Sequence, residues 1–220
     1  MADNILIQQP NGAWAMLRTV DIGGGVQVPV VQMQDAGYAA GSLTPLSDTQ
    51  SAAAAVAAVD VGYARPFKVR APITPASFGV RTSVGGAGSE FKIGIWGNAL
   101  LTNRPTGLPL MFNDTGEPTT ANNTNDQAAL SAGALLVPGL VYWCLAKWTG
   151  TLPSVVMCSN VDLFAAQIIG LGLGSSAAAT ITGLSTPLPY ADSIVVDLTA
   201  AVWTSVLTTN MPLYVMGAPA

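Results

Sequence analysis

The amino-acid sequence predicts an all-β fold, an antiparallel β-sandwich or barrel, over residues 63–220. Short runs of alternating or β-branched residues recur there, among them SFGVRTSV, EFKIGIWG and SIVVDL, and clusters of Gly, Pro, Asn, Asp and Ser separate them. Short strands at regular spacing with turn signals between them are typical of sandwiches and barrels. The 220 residues of the chain are enough for one large domain of this kind with an extension.

Residues 1–45 differ from the rest, and we interpret them as an extended anchoring arm. The stretch VDIGGGVQVPVVQMQDAG places valines on alternate positions between a triple glycine and an Asp/Gly turn, which predicts one strand. Pro29 fits such a strand only at a sheet edge. Because a lone strand is not stable by itself, we expect it to pair with another chain or to lie along a larger surface. The expected contact residues are Val26, Val28, Val30 and Val31.

Residues 46–62 are rich in alanine and connect the arm to the predicted head. The run from Ala52 to Ala58 has strong helix propensity, and polar residues before it can cap a helix. An alanine run this short is marginal as an isolated helix. A short helix and an extended linker therefore both remain open for this segment.

Within the head, alternation assigns the faces of individual strands. In EFKIGIWG, Phe91, Ile93 and Ile95 lie on one face, which predicts a half-buried strand. In GLVYWCLAKW, a Pro/Gly turn precedes a strand whose two faces are both largely apolar. We expect one of these faces to pack in the domain core and the other against a neighbouring subunit. The aromatic residues assigned to the core or to a subunit interface are Tyr142, Trp143, Trp148 and Trp203.

The low charge of the chain predicts that much of its surface is covered. Charged residues make up 9% of the sequence, well below the roughly 25% of a typical free domain. The most apolar stretch is interrupted by Pro138, Gly139 and Lys147, so it does not predict a membrane span. Surface covered by other protein explains the low charge better, and it predicts an obligate oligomer or a place inside a larger assembly.

The charge distribution and the N-terminus exclude further partners and routes. The net charge is −4 and no long basic cluster is present, which argues against binding to nucleic acid. The N-terminal sequence MADNILIQQP lacks the basic and apolar regions of a signal peptide. We therefore expect synthesis in the cytoplasm and no insertion into a membrane.

The inventory of reactive side chains argues against an enzyme. The chain has no histidine, which is the commonest general base and a common metal ligand. The glycines at 170, 172 and 174 do not follow a phosphate-loop or dinucleotide pattern, so no cofactor is expected. Cys144 and Cys158 are expected to be buried thiols, with a single bridge between adjacent strands as the alternative. Three lysines in strand-like or strand-end segments are expected to face solvent or to lie at the rim of a sheet: Lys68, Lys92 and Lys147.

The polar stretch NDTGEPTTANNTNDQAALSAG, residues 113–133, is expected to be a surface loop. Its three acids can be imagined around a calcium ion, but they lack the ordered spacing of a calcium loop, so no metal site is predicted. Aromatic residues near such a loop can contact sugars, although packing is their commoner role. The residues of this possible ligand loop are Trp96, Asp114, Glu117, Asp126 and Tyr190.

Two groups of motifs carry a resemblance to a known class of proteins. The segment MADNILI followed by RTVDIGGGVQVPVVQMQDAG is similar to the N-terminal virion-attachment arms of tailed-bacteriophage structural proteins, which carry a glycine-flanked V-x-V-x-V strand before an Asp/Gly turn. The later motifs KIGIW, NDTGEPTT and LVPGLVYWCLA resemble the jelly-roll-like β-sandwich heads of such proteins. The resemblance covers most of the chain.

This resemblance implies a non-enzymatic structural protein of a tailed-phage particle, made in the host cytoplasm and located in the virion. The arm would anchor it to the major capsid, neck or tail protein, and the jelly-roll-like head would self-associate as a homotrimer, in a capsid decoration or a head fibre. The alternative that the resemblance allows is a tail fibre or receptor-binding adhesin that contacts a host surface glycan.

Overall fold

The computed structural model of the chain describes residues 4–8, 14–21, 27–30, 38–46, 50–56, 58–131, 133–158, 181–207 and 211–219. The chain divides into two compact units, Met1–Gly37 and Tyr38–Ala220. The described residues form fifteen β-strands and no helix, as expected for an all-β protein. Val26, Val31 and the glycines at 170, 172 and 174 lie outside the described residues.

The N-terminal unit contains a three-stranded antiparallel sheet. Its strands are β1 (Asn4–Gln8), β2 (Trp14–Asp21) and β3 (Gln27–Val30), in the order β1-β2-β3. β3 carries Val28 and Val30, and its position at the edge agrees with the constraint that Pro29 imposes. The prediction of a lone strand was wrong, because the apolar runs of β1 and β2 supply partners within the same chain.

The second unit is an antiparallel β-sandwich of two six-stranded sheets, as the sequence predicted. The strands of the first sheet are β4 (Leu43–Pro45), β5 (Gln50–Ala55), β7 (Ser77–Val84), β10 (Thr124–Ala129), β12 (Ser154–Cys158) and β15 (Tyr214–Gly217). The strands of the second sheet are β6 (Val61–Phe67), β8 (Glu90–Ala99), β9 (Arg104–Pro118), β11 (Tyr142–Thr149), β13 (Ile181–Pro187) and β14 (Thr204–Leu207). From β6 onward the chain passes repeatedly from one sheet to the other, as in jelly-roll sandwiches.

The strand orders place β7 and β11 at the centres of their sheets. In the first sheet β7 pairs with β10 on one side, and with β15 and then β12 on the other, while β4 and β5 lie outermost. The second sheet has the order β14-β13-β6-β11-β8-β9. Both neighbours of β11 are antiparallel to it, and Trp143 lies opposite Pro66 on β6 and Trp96 on β8.

The alanine-rich segment is part of the sandwich rather than a helix or a linker. Gln50–Ala55 forms β5, in which Ala53, Ala54 and Ala55 pair with Val156, Val155 and Ser154 of β12. The small side chains leave the backbone open to ladder hydrogen bonds, and pairing with β12 outweighs the intrinsic helix propensity of alanine. Because β4 also belongs to this unit, the predicted boundaries of the arm at residue 45 and of the head at residue 63 both lie too late.

The polar stretch 113–133 is not a surface loop. β9 continues to Pro118, and after a turn β10 pairs residue by residue with β7, from Thr124 opposite Thr82 to Ala129 opposite Ser77. Both strands lie at sheet edges, where polar side chains can face solvent. Polar composition indicated a loop, but at an edge it is compatible with a strand.

The sandwich interior is built from large apolar side chains of both sheets. Phe91, Ile93 and Ile95 of β8 are buried there, which confirms the strand face predicted from their alternation. Phe67 packs on Phe78 and on Tyr142, with ring centroids 5.6 and 5.8 Å apart. Cys144 is a buried free thiol in this interior, so the alternative of a bridge to Cys158 is not formed.

Among the described ranges, none contains a helix with the length and apolarity that crossing a membrane requires.

Candidate functional site

Both faces of β11 are covered by this chain itself. Tyr142, Cys144, Ala146 and Trp148 face the sandwich interior, and Trp143 and Leu145 belong to a second apolar cluster on the outer face of the second sheet. Residues 188–203, here called the strap, contribute Leu188, Ile194 and Leu198 to this outer cluster. Tyr142, Trp143 and Trp148 are therefore core residues, and the expectation that a neighbouring subunit covers the outer face of β11 was wrong. Trp203, at the end of the strap, is partly buried against the same cluster.

Backbone hydrogen bonds fix the strap at several points along the sheet. The Leu188 amide donates to the Asp60 carbonyl at 2.9 Å, and the Leu198 amide donates to the Gly107 carbonyl at 3.0 Å. The indole nitrogen of Trp96 donates to the Val196 carbonyl at 3.3 Å. Trp96 is fully buried beneath the strap, so the sugar-contact role considered for it does not hold.

Lys147 holds the strap from the sheet side. Its side chain is fully buried, and its ammonium donates to the carbonyl oxygens of Pro189 at 2.8 Å, Asp192 at 2.7 Å and Ser193 at 3.4 Å. Burial, followed by the positive charge of Lys92, lowers the pKa of Lys147 to about 8. The prediction that Lys147 faces solvent was wrong, because the strap covers the face of β11 on which it lies.

A second polar group secures the strap beside Lys147. Asp114 accepts hydrogen bonds from the Ser193 hydroxyl at 2.7 Å and from the Ile194 amide at 2.8 Å, and it forms an ion pair with Lys92 at 3.2 Å. Burial raises the pKa of Asp114, but the hydrogen bonds from Ile194 and Ser193 and the charge of Lys92 bring it below its ordinary value. Lys92 is mostly buried by this arrangement instead of facing solvent.

Tyr190 completes this polar group. Its ring lies under the Lys92 ammonium, 5.0 Å from ring centroid to Nζ, and its hydroxyl donates to Glu90 Oε2 at 3.1 Å. Its amide donates to Asp60 Oδ1 at 2.7 Å. Burial, together with the hydrogen bond to Glu90, raises the pKa of the Tyr190 phenol. Asp114 and Tyr190 thus hold the strap in place.

The five residues of the predicted ligand loop do not converge on one site. Asp114 and Tyr190 secure the strap and Trp96 lies beneath it, whereas Asp126 on β10 accepts a hydrogen bond from the Thr82 hydroxyl of β7. Burial and the charge of Asp126 raise the pKa of Glu117. Within the described residues no group of three or more acidic or cysteine side chains has the geometry to hold a metal ion.

A groove of about 850 Å³ lies between the β8–β9 turn and the end of the strap. Its lining residues are Ala99, Leu100, Leu101, Thr102, Arg104, Pro105, Thr106, Thr199, Ala201 and Trp203. Leu100 and Leu101 are 86% and 99% exposed, and Val202 beside the groove is 78% exposed. Sequence reasoning missed this surface, although an available signal was the pair of leucines inside the turn-like stretch NALLTNRPTG.

Hydrogen bonds fix the shape of this groove, which we call the leucine groove. The Asn103 amide closes the turn on the Ala99 carbonyl at 2.7 Å, and Asn103 has a positive φ of 50°. The Asn98 side chain donates to Asn103 Oδ1 at 3.2 Å and accepts from the buried Trp143 indole at 2.8 Å. Across the groove, the Thr106 and Thr199 hydroxyls lie 3.2 Å apart. The two leucines are therefore presented on a turn that is tied to the outer core.

No protein-family model matches the sequence, and a search of curated proteins finds no significant match.

Proposed function

We propose that the chain is a non-enzymatic structural protein of a tailed-bacteriophage particle, with an N-terminal anchoring unit and a β-sandwich head that self-associates. The single observation that carries this proposal is the exposed apolar surface at the leucine groove. The strap already covers the outer face of β11. The exposure of Leu100, Leu101 and Val202 is therefore not explained by a sheet face that lacks its cover. Contiguous exposed apolar residues on an ordered surface are typical of protein contact sites.

The low charge of the chain supports the same proposal. A chain with 9% charged residues has little of the mixed charge that keeps isolated domains apart in solution. A repeated contact between copies, which we propose to be a homotrimer, covers apolar surface that a free monomer would expose to water. In an assembled particle, contacts with other protein cover this surface, which explains why the chain carries so few charged residues.

The N-terminal unit supplies the proposed attachment to the major capsid, neck or tail protein. Its sheet has two outer strands, β1 and β3, whose outward backbone groups are not paired within the three-stranded ladder. An added strand from another virion protein can complete such an edge through main-chain hydrogen bonds. Val28 and Val30 lie on β3, one of the strands available for this pairing.

Deletion of the gene from the phage that encodes this chain tests the proposal. We expect particles that still adsorb to the host but lose infectivity faster on heating or osmotic shock than wild-type particles. Complementation with the intact chain should restore particle stability. Loss of adsorption by otherwise stable particles would contradict a purely structural role.

Loss of adsorption would instead favour the second candidate function, a receptor-binding adhesin. The observation that favours it is the partly buried Trp203 beside the hydroxyls of Thr106 and Thr199 in the leucine groove. An aromatic face with neighbouring hydroxyls can contact a sugar ring. Binding of a host surface glycan by the intact chain, lost in Trp203→Ala, would identify this function.

A further inference from the structure

We propose that the leucine groove is the surface through which two copies of this chain associate, with Arg104 of one copy facing Asp197 of a second copy. This inference rests on the self-association in the proposed function and assigns that contact to particular residues. It follows from the apolar centre of the groove, from the state of the Arg104 guanidinium, and from an acidic residue on the opposite side.

The centre of the contact is apolar and unusually exposed. Leu101 has 99% of its surface accessible and Leu100 has 86%, and Pro105, Ala201 and Trp203 line the groove beside them. The hydrophobic effect favours burying two adjacent leucines that are exposed to this degree. A second copy that offers the same apolar surface can bury them.

Arg104 shows that the groove is electrostatically incomplete within one chain. Its Nη1 atom is buried and has no hydrogen-bond acceptor among the described residues. The rest of the side chain is partly exposed and lines the groove. A carboxylate of a second copy can bind the planar guanidinium through two of its other donors.

Asp197 is the complementary acidic group, next to the Thr199 side of the groove. Its Oδ1 accepts a hydrogen bond from the amide of Thr199, a residue of the groove lining, at 2.8 Å. Hydrogen bonds from the Thr199 side chain and, second, from its amide lower the pKa of Asp197, which keeps the carboxylate ionised. The side chain is exposed and forms no ion pair with a described cation. One surface thus carries an apolar centre, an unpaired cation and an unpaired anion.

A surface of this composition is complementary to itself. When two copies meet groove to groove, Arg104 of each can face Asp197 of the other while the leucines close the centre. A cyclic arrangement of three copies uses the same pair of residues once at each contact. The turn that presents the leucines is held by Asn98 and Asn103, so little conformational entropy is lost when the contact forms.

Charge reversal tests this contact directly in the full chain. Arg104→Asp and Asp197→Arg should each raise the dissociation constant of the oligomer at least about tenfold, because each places like charges opposite one another. The double variant should recover association, since it restores an opposite pair between copies. Equal mixing of the two single variants should recover association between unlike copies, because each supplies the charge that the other has lost; a ring of three keeps one unfavourable contact between like copies. Native mass spectrometry and sedimentation equilibrium measure all four preparations.

Matched variants separate this contact from general effects on folding or charge. Arg81 is an exposed arginine on β7, so Arg81→Asp should leave association unchanged. Leu101→Asp should dissociate the oligomer, whereas Leu135→Asp, at a leucine that is also exposed, should not. At a concentration where wild type and Leu101→Asp are both monomeric, circular dichroism should show the same β-sheet signal and melting temperature for the two, since Leu101 is 99% exposed within one chain.

The outcomes distinguish this inference from the proposed function. If the wild-type chain associates but Arg104→Asp, Asp197→Arg and Leu101→Asp leave the association unchanged, the assignment of the surface is overturned and the structural role stands. If the wild-type chain is a monomer of 22.4 kDa at every concentration, both the contact and the proposed self-association are overturned.

Discussion

Removal of one buried side chain from the strap tests how the outer face of the second sheet is covered. Ile194 is fully buried in the outer cluster, where its amide also bonds to Asp114. Ile194→Ala removes three carbon groups, worth about 0.8 kcal/mol each by transfer alone, and leaves a cavity. We therefore expect a loss of about 3 kcal/mol in the free energy of unfolding, within the usual range of 2–5 kcal/mol for such truncations.

The neighbouring residue provides a matched control. Val195 is 38% exposed, so Val195→Ala should change stability by no more than about 0.5 kcal/mol. Urea unfolding followed by tryptophan fluorescence measures both variants, because Trp96 and Trp143 lie in the cluster that the strap covers. At this chain length, a 3 kcal/mol loss corresponds to a decrease of roughly 6–12 °C in melting temperature. Equal stabilities for the two variants would refute the packing of the strap on β11.

Three further predictions follow from individual contacts. Gly79 on β7 lies so close to the Asp126 carbonyl of β10 that an added Cβ would clash, so Gly79→Ala should lower the free energy of unfolding by about 1–3 kcal/mol. Gly97→Ala is the control, because a Cβ at Gly97 meets open space and should not lower it. Equal melting temperatures for the two variants would contradict the β7–β10 register. The folded state lowers the pKa of Lys147 to about 8, so between pH 8 and about 10 the unfolded chain binds more protons than the folded chain. Lys147 should therefore make the free energy of unfolding rise across that window by up to roughly 3 kcal/mol. Burial raises the pKa of Cys144 as well as that of Tyr214, so the unfolded thiol and phenol lose their protons first. Both groups oppose the rise, the thiol from about pH 9 and the phenol from about pH 10, and the difference between the wild type and Lys147→Met isolates the contribution of Lys147. Urea unfolding at several pH values measures both trends, and a rise between pH 8 and 10 that persists in Lys147→Met would show that another group causes it. Finally, because Met1–Gly37 forms a separate unit, a chain that begins at Tyr38 should keep the β-sheet circular dichroism of the sandwich. This shortened chain should fail to enter particles when it is the sole source of the protein. Incorporation at the wild-type level would contradict the proposed anchoring role of Met1–Gly37.

Local alternation was sufficient to predict the strands whose two faces differ. Phe91, Ile93 and Ile95 alternate with other residues, and all three are buried between the sheets. Alternation also identified the strand of Trp143 and correctly indicated that both of its faces need cover. The pattern could not show what covers the second face, because the strap lies about 50 residues later in the sequence. The strap contains the run SIVVDL, residues 193–198, and the prediction of a strand there was wrong: this run forms no strand and instead packs Ile194 and Leu198 on the outer face of the second sheet.

Other errors arose where pairing outweighs local composition. The alanines of β5 favour a helix in isolation, but β12 offers them a strand partner. The polar composition around β10 predicted a loop, but all six residues of β10 pair with β7. Lys147 was predicted to face solvent, but the strap supplies its ammonium with three carbonyl acceptors. In each case the deciding group lies far away in the sequence, so no window around the residue contains it.

Local sequence patterns also did not predict the candidate contact surface, and the reason is physical. Leu100 and Leu101 belong to one turn, whereas Thr199, Ala201 and Trp203 belong to the strap, and only the folded second sheet brings them together. Arg104 and Asp197 are ordinary charged residues in the sequence. Their significance depends on the unsatisfied Nη1 atom of Arg104 and on the hydrogen bond that Asp197 accepts from Thr199 beside the groove, and both are properties of the folded chain.

Immuno-gold labelling of intact particles tests the central claim most directly. Antibodies raised against the isolated chain should label purified particles of the phage that encodes it, at regular positions on the capsid, neck or tail, and a deletion phage should show no labelling. Particles that carry no label, while the protein accumulates in the infected cell, would contradict a structural role in the virion.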